Sequence, residues 1–378
     1  MQRPSRRNVL GSMSLAAVTA VAGCLDDGSS GSPSATESAS GQSERASCEP
    51  ARPAGTTDDG VPVADRSLPQ EYGFETLLEE SLDGGPGPDG IPSIDDPVFA
   101  PADDPPENLA DGDPVFGVVL DGEAKAYPQY VLVWHEIGND VVGDESVAVT
   151  YCPLTGTAQG FYRGDVTFGV SGRLINSNLV MFDRETGSWW PQMLAQGIDG
   201  DHEGDVLGEF QLTWSSWGQW RDRHPGTVVL TEETGYVRDY GSDPYGGYNP
   251  TSGYYSVDDE DTLFPPLATD DRFAPKEVVV GVRTEDGAAA VPTDRLRESG
   301  LLEWSMGDEP YVAVYDPGLE AGHVYRNPDG LELEADDGAV VVDGEGYRPD
   351  DLPLECAIGV DAMWFAWYGY YPSTEVVE

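Results

Sequence analysis

Beyond about residue 60, most apolar positions fall in short runs with the period of two that is typical of β-strands. Residues 147–151 alternate in this way around β-branched side chains, and residues 179–182 form another apolar run. Residues 159–162 and 166–170 flank a Gly-containing turn at Arg163-Gly164-Asp165, which predicts a hairpin. These segments indicate a protein built mainly from strands.

Helical periodicity is limited to short segments. A helix is predicted over residues 129–137, and a second short helix over residues 214–220, where tryptophan occurs at every third position ahead of Pro225. The apolar face of the first helix comprises four side chains: Tyr130, Val133, Trp134 and Ile137. We therefore expect a predominantly β, α+β fold with few short helices.

An internal repeat divides the chain. Residues 117–128 have a counterpart in residues 281–292, each reading as a strand, an Asp-Gly turn and a strand that ends at proline. At the same offset Tyr151-Cys152-Pro153 corresponds to Tyr315-Asp316-Pro317. The repeat predicts a duplication, with a first unit over about 115–222, a connecting segment over 223–277 and a second, degenerate unit over about 278–367.

The charge of the chain excludes some classes of partner. It has 20 basic and 69 acidic side chains, a formal net charge of -49. A surface that binds nucleic-acid phosphates, or a polybasic patch that binds a membrane, requires dense Lys and Arg, so we expect neither. With 39% hydrophobic residues the chain has enough apolar surface for a packed interior. Such acidity is typical of the proteins of extreme halophiles.

The N-terminus carries an export pattern. Arg6-Arg7 precedes an apolar stretch that is too short to span a bilayer, as in a twin-arginine signal peptide over residues 1–23. Small residues at 21–23 come before Cys24, as in a lipobox, so we expect lipidation of Cys24, an acidic Ser/Gly-rich tether over 24–60 and a folded domain over 61–378. The expected location is the outer face of the cytoplasmic membrane, with the lipid as the membrane contact. A plain cleaved signal peptide is the alternative.

The remaining cysteines are odd in number. Cys48, Cys152 and Cys356 would be exposed to an oxidising compartment, where one disulfide and one free thiol is the simplest outcome. The ends of a domain often meet, which favours a Cys48–Cys356 disulfide and a free Cys152.

Several stretches, in order over roughly the last 300 residues, resemble the domain of unknown function 3179 family. They are residues 126–128, 134–137, 139–140, 147–157, 167–172, 176–186, 243–248, 364–367 and 371–375. In that family the cysteine motif usually reads Cys-Pro-Leu-Cys, and some members place selenocysteine there, which implies redox use. This chain has Thr155 at the second position, so the resemblance provides no dithiol pair within the motif.

Cys152 is the candidate reactive residue. It follows a strand and opens a Pro-Leu-Thr-Gly turn, in which N–H groups and the Thr155 hydroxyl are expected to stabilise a thiolate and lower its pKa. His135 is the candidate base, or a second ligand beside Cys152 for a soft metal such as copper. The alternative is a buried cysteine that packs as a small hydrophobe, with His135 hydrogen-bonded beneath it.

A different class of function remains open. No phosphate-binding loop or nucleophile elbow occurs, so a nucleotide cofactor is not expected. Residues 245–248, 254–255 and 189–190 are rich in Tyr and Trp, which suits stacking on sugars as well as core packing. The two hypotheses are a surface thiol redox or metal-handling protein centred on Cys152, and a non-catalytic surface module that binds a glycan or a partner protein.

Overall fold

A computed structural model describes residue 53 and residues 55–378. In chain order the first strands and helices are β1 Gly55–Thr56, β2 Pro62–Val63, α1 Phe74–Glu79, β3 Leu82–Asp83, β4 Phe99–Pro101, β5 Pro114–Leu120, β6 Glu123–Pro128, α2 Gln129–Leu132, β7 Ile137–Val142, β8 Glu145–Cys152, β9 Thr157–Tyr162, β10 Phe168–Ile175, β11 Asn178–Asp183, β12 Trp189–Pro191, β13 Glu209–Phe210, β14 Thr213–Ser216, α3 Trp217–Arg223, β15 Val228–Leu230, β16 Gly246–Tyr248 and β17 Thr251–Gly253. The rest are β18 Val278–Thr284, β19 Gly287–Pro292, α4 Thr293–Ser299, β20 Leu301–Met306, β21 Glu309–Asp316, β22 Ala321–Arg326, β23 Leu333–Asp336, β24 Ala339–Val342, β25 Glu345–Tyr347, β26 Glu355–Ala357, β27 Gly359–Met363, α5 Trp364–Tyr370 and β28 Glu375–Val376. A predominantly β, α+β fold is thereby confirmed.

Two sheets of the first unit have counterparts in the second unit, and a third sheet, in the order β12-β11-β10-β3, does not belong to this pattern. The hairpin β5–β6 pairs on one side with β14, antiparallel, and on the other with β15, parallel, and β4 completes the sheet. The chain then forms the antiparallel strands β7, β8 and β9, to which β13 adds an edge. Because β15 belongs to the first sheet, this unit continues past residue 222 into the predicted connecting segment.

The second unit has the same connectivity. The hairpin β18–β19 pairs with β27, antiparallel, and with β28, parallel. Strands β20, β21 and β22 follow, with β26 at the edge. In both units a helix follows the strand that flanks the hairpin, α3 after β14 and α5 after β27.

Each unit packs a tryptophan against a glycine of its hairpin. A Cβ added at Gly117 would lie 2.2 Å from Trp220, and one added at Gly281 would lie 2.2 Å from Trp367. The two indole N–H groups also donate to equivalent threonines, Trp220 to Thr227 and Trp367 to Thr374, each at 3.0 Å. A duplication predicts such parallels; as the origin of the two units it stays a prediction.

The predicted helix over 129–137 is too long. Helix α2 ends at Leu132, and Glu136 has a φ of 59°, in the left-handed region. The chain leaves the helix there because Ile137 starts a strand that pairs with Thr150. Cross-strand pairing therefore overrides the helical period of the apolar residues.

The predicted hairpin across residues 163–165 is wrong. Strand β9 pairs with β8 and β13, whereas β10 pairs with β11 and β3 in a different sheet. Gly160 leaves space for the ring of Phe210, since a Cβ at Gly160 would lie 2.2 Å from it. The edge of β9 is thus taken by a strand from much later in the chain.

The largest apolar cluster surrounds helix α5, whose residues Trp364, Trp367 and Tyr370 are fully or almost fully buried. Tyr254 and Tyr255, from the predicted connecting segment, pack into the same cluster. This segment is therefore part of the core between the units. In the described part of the chain no helix has the length and apolar character needed to cross a membrane.

Candidate functional site

The thiol of Cys152 lies at the end of β8 and is 1% exposed. Its Sγ donates to the carbonyl oxygen of Ser177 at 3.7 Å and packs among the apolar side chains of one core cluster. Burial, together with the negative charge of Glu136, raises the pKa of Cys152 to about 11. The expected lowering of this pKa is therefore wrong.

The turn after Cys152 provides the expected donors without changing that outcome. Hydrogen bonds from the Thr155 side chain and from the backbone N–H groups of Thr155 and Leu179 act to lower the thiol pKa. Desolvation is the larger effect, since the site is sealed by the strands packed around it. Thr155 is itself completely buried, and its hydroxyl accepts from Asn178 at 3.1 Å.

The imidazole of His135 is not directed to Cys152. Nδ1 lies 2.8 Å from the carbonyl oxygen of Pro92, and Nε2 lies 2.7 Å from the Tyr240 hydroxyl. Burial lowers the pKa of His135, so the ring is neutral near pH 7. Both ring nitrogens therefore bond to groups other than Cys152 in this structure, and a role for His135 as base or second metal ligand stays a prediction.

The carboxyl group of Glu136 acts electrostatically on the thiol of Cys152. Glu136 is 9% exposed, and within the described residues its carboxyl makes no hydrogen bond or ion pair. Burial raises the pKa of Glu136 to about 8, so this side chain is mostly protonated at neutral pH. Near pH 7 both Glu136 and Cys152 are therefore mostly uncharged.

One partner of the expected disulfide, Cys48, lies outside the described residues. Cys356 is disulfide-bonded and Cys152 is a free thiol. Cys48 and Cys24 lie outside the described residues, as do the signal peptide and most of the tether. The pairing of Cys48 with Cys356 and the lipidation of Cys24 stay predictions.

The described residues contain no group of three or more His, Cys, Asp or Glu side chains arranged to hold a metal ion. Copper binding at Cys152 and His135 stays a prediction.

A second candidate site is a cavity of about 430 Å³ between the two units and the segment that connects them. We call it the aromatic pocket. Its principal lining residues are Trp214, Tyr248, Tyr255, Lys276, Asp361 and Met363. The volume is in the range of about 300–1,000 Å³ that is usual for small-molecule sites.

Three rings form one wall of the aromatic pocket. Trp214 meets Tyr248 edge to face at 5.2 Å between centroids, and Tyr248 stacks on Tyr255 at 4.1 Å. Trp214 and Tyr248 are half-buried, whereas Tyr255 is 4% exposed. These three rings line the cavity, and their partial burial holds them in place.

Hydrogen bonds hold this wall in place. The hydroxyls of Tyr151 and Tyr248 lie 3.2 Å apart. Tyr255 donates to Asp243 at 3.1 Å, and Gln129 donates to the same carboxylate at 2.9 Å. Because these partners come from α2, β8 and the connecting segment, hydrogen bonds join the three rings to both the first unit and the connecting segment.

The lining also includes polar groups. Burial raises the pKa of Asp361 to about 7, and within the described residues no hydrogen bond or ion pair involves its carboxyl. Lys276 is 2% exposed; its Nζ lies 3.3 Å from Asp259 and 3.6 Å from the centroid of the Tyr254 ring. A partly exposed carboxyl and a buried ammonium therefore adjoin the aromatic wall.

Sequence reasoning identifies only part of this pocket. Tyr248 and Tyr255 line it, but Tyr254 is an internal residue whose hydroxyl donates to Leu154 at 2.8 Å. Trp190 is fully buried in the core. The second predicted helix includes Trp214, which instead lies in β14, ahead of α3.

Asp361 and Lys276 are site residues that sequence reasoning misses. Lys276 is one of only two lysines in the chain, and Asp361 is the acidic residue within an otherwise apolar strand. The scarcity of lysine in the chain could have singled out Lys276, and the isolated acidic residue in an apolar strand could have singled out Asp361.

The family model described as "Protein of unknown function (DUF3179)" matches residues 88–374, and this chain belongs to that family. The match includes Cys152, the aromatic pocket and both units. No curated protein matches the chain. No solved structure matches it.

Proposed function

We propose that this protein is a non-catalytic binding module whose aromatic pocket takes a neutral carbohydrate. The observation that carries the proposal is that the contacting rings of Trp214, Tyr248 and Tyr255 line the same cavity as several polar side chains. The apolar C–H face of a sugar ring packs on an aromatic ring, while its hydroxyls need hydrogen-bonding partners. Asp361 and Thr251 offer such partners in the same cavity.

The charges around the pocket favour a neutral ligand over an anionic one. Two basic side chains line it, Lys276 and Arg297, and Lys276 already pairs with Asp259. The acidic side chains in the lining are Glu277, Asp294, Glu320 and Asp361. An acidic sugar would meet this excess of carboxylates at short range, which costs binding free energy.

The buried Cys152 supports the redox alternative less well. A reactive cysteine needs an accessible thiolate, whereas this thiol is 1% exposed and has a pKa raised to about 11. Packing as a small hydrophobe accounts for its surroundings.

We propose further that the module is exported and held by a lipid at Cys24 on the outer face of the cytoplasmic membrane. The support is the sequence alone, in which Arg6-Arg7 and the small residues before Cys24 occur in the order of a lipoprotein signal. Replacing Cys24 by Ser should move the protein from the membrane fraction to the medium. Retention in the membrane fraction would count against lipidation.

Saturation-transfer NMR on the full chain tests the carbohydrate proposal. The probes are a set of neutral mono- and disaccharides and their uronic-acid counterparts, and we expect saturable binding of a neutral sugar and weaker binding of the acid. Trp214→Ala should weaken that binding about tenfold or more, because a ring contact is lost. Trp189→Ala is the matched control, since Trp189 is also half-buried but lies outside the pocket.

The proposal fails if no neutral sugar binds saturably. It fails equally if Trp214→Ala, folded as judged by its circular dichroism, binds the sugar as tightly as the Trp189→Ala control.

A further inference from the structure

A separate cavity of about 290 Å³ is lined by residues of β13, β18, β22 and β26. We call it the arginine cavity. The charged and titratable side chains on which its chemistry depends are Arg66, Glu209, Arg283, His323, Arg326 and Glu355. Three guanidinium groups around one cavity are notable in a chain with 20 basic and 69 acidic residues.

A buried carboxylate organises the floor of this cavity. Glu209 and Arg283 are each 1% exposed at their side chains and form an ion pair at 2.7 Å. The other carboxylate oxygen accepts from Arg66, and Gln159 donates to Glu209 at 2.9 Å. Although burial opposes the charged form, Arg283 and Arg66 lower the pKa of Glu209, so it stays ionised. Its acceptor capacity is used by these donors.

Several buried nitrogen atoms at the cavity have no hydrogen-bond partner. Nε of Arg66, Nε of Arg283 and Nε2 of His323 are buried and form no hydrogen bond in the described structure. Arg283 is 3% exposed and His323 is 7% exposed. Leaving a buried donor unpaired costs about 1–3 kcal/mol, and more for a charged group, so an acceptor from outside the chain is favoured here.

A third guanidinium adds to this set. The Arg326 guanidinium lies 5.7 Å from the Tyr311 ring, and within the described part of the chain it makes no ion pair. Glu355 is its cross-strand neighbour on β26, and Asp65 and Glu355 are the exposed acidic residues of the lining. Solvent screens these two carboxylates more than it screens the buried groups.

We propose that the arginine cavity binds a small oxyanion, a carboxylate or phosphate group, which accepts hydrogen bonds from the arginines and from His323 in its Nε2–H tautomer. Oxyanions suit this site because guanidinium N–H groups donate in pairs to planar or tetrahedral oxygen groups. The site is distinct from the aromatic pocket, with which it shares no lining residue. An anion here is therefore independent of sugar binding.

Calorimetric titration of the full chain with inorganic phosphate and, separately, with acetate tests the proposal at constant ionic strength in chloride. We expect saturable binding of at least one anion, and the stronger arm identifies the oxyanion class. Arg326→Gln should weaken that binding about tenfold or more, because a charged donor is removed. Arg326 is chosen because it lies outside the Glu209 ion-pair network, so the fold should be kept.

Two further variants make the outcome decisive. Arg326→Lys should restore part of the affinity, since it keeps the charge but not the paired donors. Arg295→Gln, at an exposed position outside the cavity, should leave the affinity unchanged although it removes the same charge. Absence of saturable binding for both anions, or equal affinity in wild type and Arg326→Gln, would overturn the proposal. Neither of these two results would change the outcome expected for sugar binding by saturation-transfer NMR.

Discussion

Replacing Gly117 or Gly281 by Ala should destabilise the protein by similar amounts, because each glycine lies beneath a buried indole. The new Cβ would be 2.2 Å from ring atoms of Trp220 or Trp367, whereas carbon atoms pack at about 3.5–4.0 Å. The ring must therefore move by more than about 1 Å, as the difference between these distances requires.

The two indoles have little freedom to move. Trp220 is 2% exposed, Trp367 is completely buried, and each ring N–H is bonded to a threonine at 3.0 Å. Overpacking of this kind costs about 1–3 kcal/mol, and the rigid contact places both variants near the upper end of that range. Because the sites are separate, the double variant should lose about the sum.

Urea denaturation followed by circular dichroism measures these losses as changes in the free energy of unfolding. Gly346→Ala is the control, since Gly346 also lies in a strand, is exposed, and has no heavy atom within 4 Å of the position that a Cβ would take. We expect the control to stay within about 0.5 kcal/mol of wild type. Losses below that value for Gly117→Ala and Gly281→Ala, or a large loss in only one, would refute the equivalence of the two packing sites.

Three further outcomes are expected. Iodoacetamide should not label Cys152 in the folded protein at pH 8 but should label it in denaturant, because the thiol is buried with a pKa of about 11; rapid labelling of the folded form would contradict this. The pKa of Glu136 in the folded protein, about 8, exceeds its ordinary value, so the unfolded chain binds fewer protons than the folded one between about pH 5 and 8. This group therefore lowers the free energy of unfolding as the pH rises through that range. In urea denaturation at several pH values Glu136→Gln should reduce this pH dependence, and the exposed control Glu79→Gln should not. Equal slopes would show that Glu136 is not buried as described. The pKa of Glu209 is lowered in the folded protein, so its effect on stability has the opposite sign. Acidification below about pH 4.5 should reduce the free energy of unfolding of wild type more than that of a Glu209→Gln variant. Equal losses in the two proteins would contradict this prediction.

Local patterns predicted the elements whose pairing is also local. The run over 147–151 lies within β8, and the Asp-Gly turns of the repeat close the hairpins β5–β6 and β18–β19. The tryptophan spacing correctly indicated a short helix ahead of Pro225, although α3 starts at Trp217. In each case the information lies within a few residues of the element.

The failures involve distant partners. The turn over 163–165 suits a hairpin, but β13, from much later in the chain, supplies the second partner of β9. The donors around Cys152 follow from its turn, whereas its burial depends on strands from elsewhere in the chain. Likewise Asp361 and Lys276 line the same cavity as Tyr248 only because the second unit packs against the connecting segment. The periodicity of one segment does not indicate which distant residues line the same cavity.

The most direct test of the carbohydrate proposal is a crystal structure of the full chain grown with the neutral sugar that binds best in solution. We predict a sugar ring in the aromatic pocket, with its C–H face against Trp214 or Tyr248 and a hydroxyl within hydrogen-bond distance of Asp361. A sugar bound at another surface, with the aromatic pocket holding only solvent, would contradict it.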